Sequence, residues 1–278
     1  MRSQFLIAVS SSIAALAIAS PAIAQTEEKP FDGVYIGASV GYDMQSSDRG
    51  STILFDRDLN GSFGDTVTTS GGANAFSPGF CSGRARTSAP LDGCVNDKDG
   101  ISYSARVGFD KQFGSIVAGL VGEFGKSEVR DSVSAYSTTP ARYSMTREVD
   151  WNANLRARLG YAANTTLFYA TGGGAYARVD STFQTSNTAN SFTGRGKRGA
   201  WGFVAGGGIE QKLSPSFSVG LEYLFNQYKD DDYVVRAGPG TAPMTNPFLL
   251  GNANGTDFIR SDDKFRWHSV RATAAFRF

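Results

Sequence analysis

Between Trp151 and Tyr161 the side chains of Trp151, Ala153, Leu155, Ala157, Leu159 and Tyr161 fall on one face of an extended chain, and Asn152, Asn154, Arg156, Arg158 and Gly160 fall on the other. Successive side chains of a strand point to opposite faces. The core of a soluble sandwich has no place for two arginines at successive inward positions. A strand in a bilayer does, because one face meets lipid and the other a polar lumen. The C-terminal stretch repeats the pattern, with His268, Val270, Ala272, Ala274, Phe276 and Phe278 opposed to Ser269, Arg271, Thr273 and Arg277.

The same period of two predicts eight strands. They run over Gly33 to Asp43, Ile101 to Asp110, a third with Glu123 inward and Leu120 and Phe124 outward, Trp151 to Tyr161, Leu167 to Val179, Ala200 to Lys212, a seventh from Phe217, and the C-terminal ribbon. In the fifth, Gly172, Gly174, Tyr176 and Arg178 are expected to face inward. Short connections at 111–115, 162–166 and 213–216 alternate with long ones at 44–99, 126–147, 180–198 and 226–263. Short periplasmic turns and four long extracellular loops are the asymmetry of an up-and-down outer-membrane barrel. An even strand count closes the sheet and leaves no edge. A soluble secreted barrel of the lipocalin kind alternates too, but turns its apolar face inward. Here the apolar face carries Trp151 and Tyr161 at its two ends, as a lipid band between aromatic girdles requires.

The N-terminal end points to the same compartment. Arg2 precedes an apolar run from Phe5 to Ile18 and the sequence Ala22-Ile23-Ala24, so residues 1–24 read as a signal peptide. Residue 25 is Gln rather than Cys, which does not indicate a lipoprotein. Residues 25–30 read as a linker and 31–278 as one barrel domain. The apolar run is too short to span a bilayer as a helix. Removing residues 1–24 takes away one arginine and no acid, leaving 26 basic and 26 acidic residues, so nothing argues for nucleic acid. Glycine, at 33 of 278 residues, exceeds its usual ~7% and suits curved, closely approaching strands.

Phe31-Asp32-Gly33-Val34-Tyr35-Ile36-Gly37, Gly220-Leu221-Glu222-Tyr223 and Trp267-His268-Ser269-Val270-Arg271 before a terminal Phe resemble the small outer-membrane β-barrel, or opacity-type porin, family of Gram-negative bacteria. That family includes the outer-membrane immunogenic proteins. The resemblance implies location in the cell outer membrane, contact with its lipid and lipopolysaccharide, and delivery by the barrel-assembly machinery. It also implies that Phe278, with Phe276 and Val270 upstream, forms the assembly signal. The chain departs from the family in its long first loop and in ending at the barrel, with no peptidoglycan-binding domain expected.

Four groups of residues offer chemistry. Arg106, Glu123, Arg156, Arg158, Arg178, Glu210, Glu222 and Arg271 form an expected lumen network. An eight-stranded barrel is only just wide enough for side chains, and buried charges require partners, so pairing is favoured over an ion path. Cys81 and Cys94 in the first long loop are expected to form a disulfide in an oxidising exterior. Asp56, Asp58, Asn60 and Ser62 match the start of a calcium loop with Gly61 at the sharp turn, although position twelve is Val67 rather than Glu and Asp65 is the available substitute. Without calcium, this is a polar turn and no cofactor is expected. His268-Ser269 resembles the His and Ser of outer-membrane lipid A deacylases, but adjacent strand residues face opposite sides and cannot readily act as base and nucleophile. The triple glycines at 172–174 and 206–208 lie inside strands and give no dinucleotide fingerprint. The sequence therefore reads as a non-enzymatic outer-membrane barrel with a structural or surface-interaction role and an unidentified surface ligand. A low-conductance porin and a lipid-modifying enzyme are the alternatives.

Overall fold

A computed structural model describes residues 29–45 and 50–278. The signal peptide expected over 1–24, and 25–28 of the linker, lie outside the described residues. Eight strands form the barrel: β1 (Gly33–Gln45), β2 (Gly100–Phe113), β3 (Ile116–Ser127), β4 (Ala141–Ala163), β5 (Thr166–Thr185), β6 (Gly199–Lys212), β7 (Phe217–Lys229) and β8 (Lys264–Arg277). Each pairs antiparallel with its neighbours in sequence, and β1 pairs with β8 from Tyr35↔Arg277 to Gln45↔Trp267. The sheet is therefore closed, and no barrel edge is left open.

The short turns follow from local chemistry. Phe113↔Ile116 and Ala163↔Thr166 close two-residue turns in which Gly114 (φ 57°) and Asn164 (φ 54°) are left-handed. Those residue types tolerate that region. On the outside Leu155 is 62% and Leu221 65% exposed, the surface that lipid covers. Inside, each ladder turns Tyr35, Arg156, Glu222 and their neighbours into a lumen where they are almost fully buried.

The long connections at 126–147, 180–198 and 226–263 were expected as loops, and in this the structure differs. β4 is 23 residues and β5 is 20, twice the ~9–11 that a tilted membrane strand needs, so both project well beyond the barrel. Their outer halves join Arg130–Ser137 and Gly79–Ser82 in one sheet, while Ser191–Arg195, Val234–Gly238, Thr256–Arg260 and Ile53–Asp56 form a second. Between the two sheets lies an aromatic core. Phe55 stacks on Phe76 with centroids 4.5 Å apart and meets Phe258 edge-on at 5.0 Å, and Tyr143, Met145, Val133 and Val235 fill the remainder. Val133 and Ala135, and Tyr143 and Met145, occupy alternate positions that face this core. Burial of these apolar side chains drives the connections into strands.

Candidate functional site: the filled lumen and its cap

The centre of the lumen is built from side chains of six strands, β2, β3, β4, β5, β7 and β8. Glu222 (β7) accepts hydrogen bonds from Arg106 at 3.0 Å, Arg271 at 2.6 Å and the Tyr169 hydroxyl at 2.9 Å, with Arg156 Nη1 3.4 Å away. Glu123 (β3) accepts from Arg106 at 3.0 Å, Arg156 at 3.1 Å and Arg271 at 2.5 Å. Register explains the pairing: Arg106 lies directly across from Glu123, and Glu222 across from Arg271. Space comes from glycine. Gly41 faces Arg271, and a Cβ there would stand 2.6 Å from Arg271 Cγ.

Toward the short turns a second layer repeats the arrangement. Arg158 bridges Asp110 at 3.2 Å and Glu210, and stacks over the Tyr169 ring at 3.9 Å. Arg277 reaches Asp110 at 2.8 Å and the Phe31 carbonyl at 2.8 Å. Ser218 donates to Glu210 at 2.7 Å. Toward the long loops Asp43 accepts from the hydroxyls of Ser102 at 2.8 Å and Ser127 at 2.6 Å. Apolar layers lie at both ends. Phe31, Val117, Ala162 and Leu167 pack at the short-turn end. At the other end Val204, Leu224, Tyr228, Phe265 and Trp267 pack together, with Tyr228 stacked on Trp267 at 5.1 Å.

Seven of the eight charges expected in the lumen are there: Arg106, Glu123, Arg156, Arg158, Glu210, Glu222 and Arg271. Arg178 is not. It faces outward, pairs with Asp150 at 3.5 Å, and lies opposite Trp151 and Gly199 in register. Directly opposed residues share a face, so an outward Trp151 requires an outward Arg178. The expected inward phase of Gly172, Gly174 and Tyr176 is corrected with it. Leu167, Tyr169, Ala175, Ala177 and Val179 face inward instead, because the lumen holds apolar layers as well as charges. Tyr176 joins an outer aromatic belt that runs Phe124–Trp151–Tyr176–Trp201, with centroids 5.6, 5.6 and 5.0 Å apart. Asp110 and Arg277 complete the network. Their inward phase was legible, but their pairing across β1 depends on closure of the barrel.

A further charge cluster joins the barrel mouth to the cap. Arg147, with no exposed surface, donates to Asp131 at 2.7 Å and to the Lys264 carbonyl at 2.9 Å, and Arg260 reaches Asp131 at 2.7 Å. Burial alone would raise Asp131, but Arg260 and Arg147 outweigh it and hold the carboxyl below its ordinary value. Asp97 accepts the Ser132 N–H at 2.7 Å, and burial, together with the charge of Asp131, pushes it up to about 6. Asp230 is raised too, by burial against the pull of Arg147. No local pattern announces this cluster, because its members come from three separate connections, 44–99, 126–147 and 226–263.

Cys81 and Cys94 are bonded, with Cα atoms 6.3 Å apart, and Tyr136 Oη lies 3.5 Å from each sulfur. In the acidic turn, Asp56, Asp58 and Asp65 each bring a carboxylate oxygen within 4.8 Å of the others. Asp56 also accepts the N–H of Asn60 at 3.1 Å and of Gly61 at 2.8 Å, and Asn60 accepts the N–H of Ser62 at 2.7 Å. Val67 is buried in the cap core, so Asp65 is the residue that supplements the turn. His268 sits on the outer face with Nδ1 2.6 Å from Tyr223 Oη, whereas Ser269 is buried in the lumen and accepts from Asn226 at 3.0 Å. Val270, Phe276 and Phe278 all face outward, and the rings of Phe276 and Phe278 meet edge-on at 5.2 Å.

Residues 10–278 match the model of the outer membrane protein β-barrel domain. The 31 kDa outer-membrane immunogenic protein of Brucella melitensis biotype 1 is 26% identical over 265 residues, 93% of this chain and 88% of that protein. The 22 kDa outer membrane protein of Rhizobium leguminosarum bv. viciae is 28% identical over 131 residues, 47% of this chain and 54% of that one. Among solved structures, the Ail attachment invasion locus protein of Yersinia pestis aligns over 89% of this chain and 99% of that chain, at 10% identity and a TM-score of 0.35, a likeness too distant to carry an argument. With a family match over nearly its whole length and a closed antiparallel barrel of eight strands, this chain belongs to the outer membrane protein β-barrel family and is a protein of the cell outer membrane.

Proposed function

We propose that this barrel neither conducts nor catalyses, and that its role is structural or surface-interacting, carried by the cap outside the membrane. The observation behind this reading is the filled lumen. Any path through it crosses two apolar layers and two layers of paired charge in which Arg156 has no exposed surface. Opening a path means separating charges already removed from water, and uncompensated buried charge costs several kcal/mol. The separation of His268 from Ser269 by the barrel wall speaks against the deacylase alternative. The name of the Brucella relative, an outer-membrane immunogenic protein, fits a surface-displayed cap.

Single-channel recording of the refolded chain in a planar bilayer tests the reading. Silent membranes are expected. Steady openings in the nanosiemens range would replace it with the porin alternative.

A further inference from the structure

The two cap sheets enclose a common core and meet along two seams. At one seam, between Ile53–Asp56 and Gly79–Ser82, the chain covers its own edge: Gly64 N and Asp65 N both donate to the Phe55 carbonyl at 2.9 Å, and Val67 and Phe76 pass into the core. The other seam lies between the outer end of β5 and Ser191–Arg195. β5 pairs with β6 only as far as Arg178; the Val179 N–H still donates to the Arg198 carbonyl at 2.7 Å, and beyond it the β5 ladder runs with β4 alone, to Thr185↔Tyr143. Ser191–Arg195 pairs with Val234–Gly238 alone. Among the described residues no strand lies between these two edges. A cleft of about 530 Å³ lies between them, lined by Arg142, Phe183, Gln184, Phe192, Gly194 and Tyr233. Phe183 and Phe192 meet across it with centroids 5.2 Å apart and form an aromatic floor.

We infer that this seam is a strand-acceptor site that takes an extended, acidic peptide segment of a partner protein. The inference rests on the reading that the cap carries the function, and adds the chemistry of its partner. In an antiparallel ladder alternate residues turn their N–H and C=O groups away from the paired neighbour, so each edge presents unused donors and acceptors to the cleft. Exposed edges of this kind template another strand unless charge, twist or a covering segment blocks them. The chain covers one seam and leaves the other. β5 runs outward and Ser191–Arg195 runs back, so a guest strand must lie antiparallel to one and parallel to the other. Ser191–Arg195 is five residues, which sets the paired part of the guest at about five residues of ~3.3 Å each. Charge selects the guest. No acid lines the cleft, and Arg142 is among its lining residues.

The test uses the refolded full chain in detergent micelles and three fluorescein-labelled seven-residue probes: alternating Glu and Val, alternating Lys and Val, and the acidic probe N-methylated at alternate residues. The acidic probe is expected to bind saturably with a Kd on the order of 10–100 µM, at least about tenfold more tightly than either of the others. Arg142→Glu is expected to weaken the acidic probe by about tenfold and to favour the basic one. Equal binding of the N-methylated probe would show side-chain adhesion without strand addition and overturn the proposal. So would the absence of saturable binding, or slow hydrogen exchange at both facing edges in the free protein, which would mean a closed seam. Each of those outcomes leaves bilayer conductance untouched and is therefore distinguishable from failure of the filled-lumen reading.

Discussion

Replacing Glu222 by Ala probes the lumen most directly. Glu222 is 3% exposed and receives Arg106, Arg271 and Tyr169, with Arg156 beside it. The central layer holds three arginines against two glutamates, so the variant leaves Arg106, Arg156 and Arg271 around Glu123 alone. Breaking a buried pair from one side costs about 3–5 kcal/mol. At about 2–4 °C per kcal/mol for a chain of this class, the melting midpoint is expected to fall by about 10 °C. The assay is the temperature at which the folded, fast-migrating band converts to the unfolded form, read beside Glu128→Ala on the exposed surface. Removing Arg156 as well should cost less than the sum of the two single losses, because the second change restores the charge balance. A Glu222→Ala midpoint equal to that of Glu128→Ala, or strict additivity in the double variant, would refute the paired lumen.

Three further outcomes are expected. Deleting Phe278, or replacing it by Asp, should lower the yield of folded protein in the outer membrane, and unchanged yield and heat-modifiable migration would remove its role as an assembly signal. Asp97, raised to about 6 from an ordinary ~3.9, favours the fold when protonated. Its contribution, about 1–2 kcal/mol after discounting for partial exposure, is present below pH ~4 and lost as pH rises through 6, so Asp97→Asn should flatten that part of the stability profile relative to wild type. Asp131 works in the opposite sense at lower pH, since a depressed carboxyl stabilises above its ordinary value, and an unchanged difference curve between pH 4 and 6 would count against the Asp97 environment. Calcium titration calorimetry is expected to give binding in the ~10⁻⁴ to 10⁻³ M range that Asp56→Ala with Asp58→Ala abolishes; a flat wild-type isotherm would leave only a polar turn.

Strand number, the inward phase of β1 to β4 and β6 to β8, and most of the lumen charges were legible in the sequence, because a bilayer makes the two faces chemically opposite at every second residue. That rule failed in β5, where Ala175, Ala177 and Val179 face inward and Arg178 outward. An inner apolar layer and a rim arginine invert the polarity that alternation relies on, and only register against Trp151 resolves the phase. The cap was equally out of reach. Val133, Tyr143, Val235 and Phe258 alternate in pieces too short to read as strands until they close on one another. Arg147, Asp131, Arg260 and Asp97 meet from connections far apart in the chain. Local periodicity was enough to specify a membrane barrel and the face each ladder shows to lipid. Which charges pair across the lumen, where the apolar layers fall, and which cap seam is left open depended on barrel closure, the step that first brings β1 against β8 and one long connection against another.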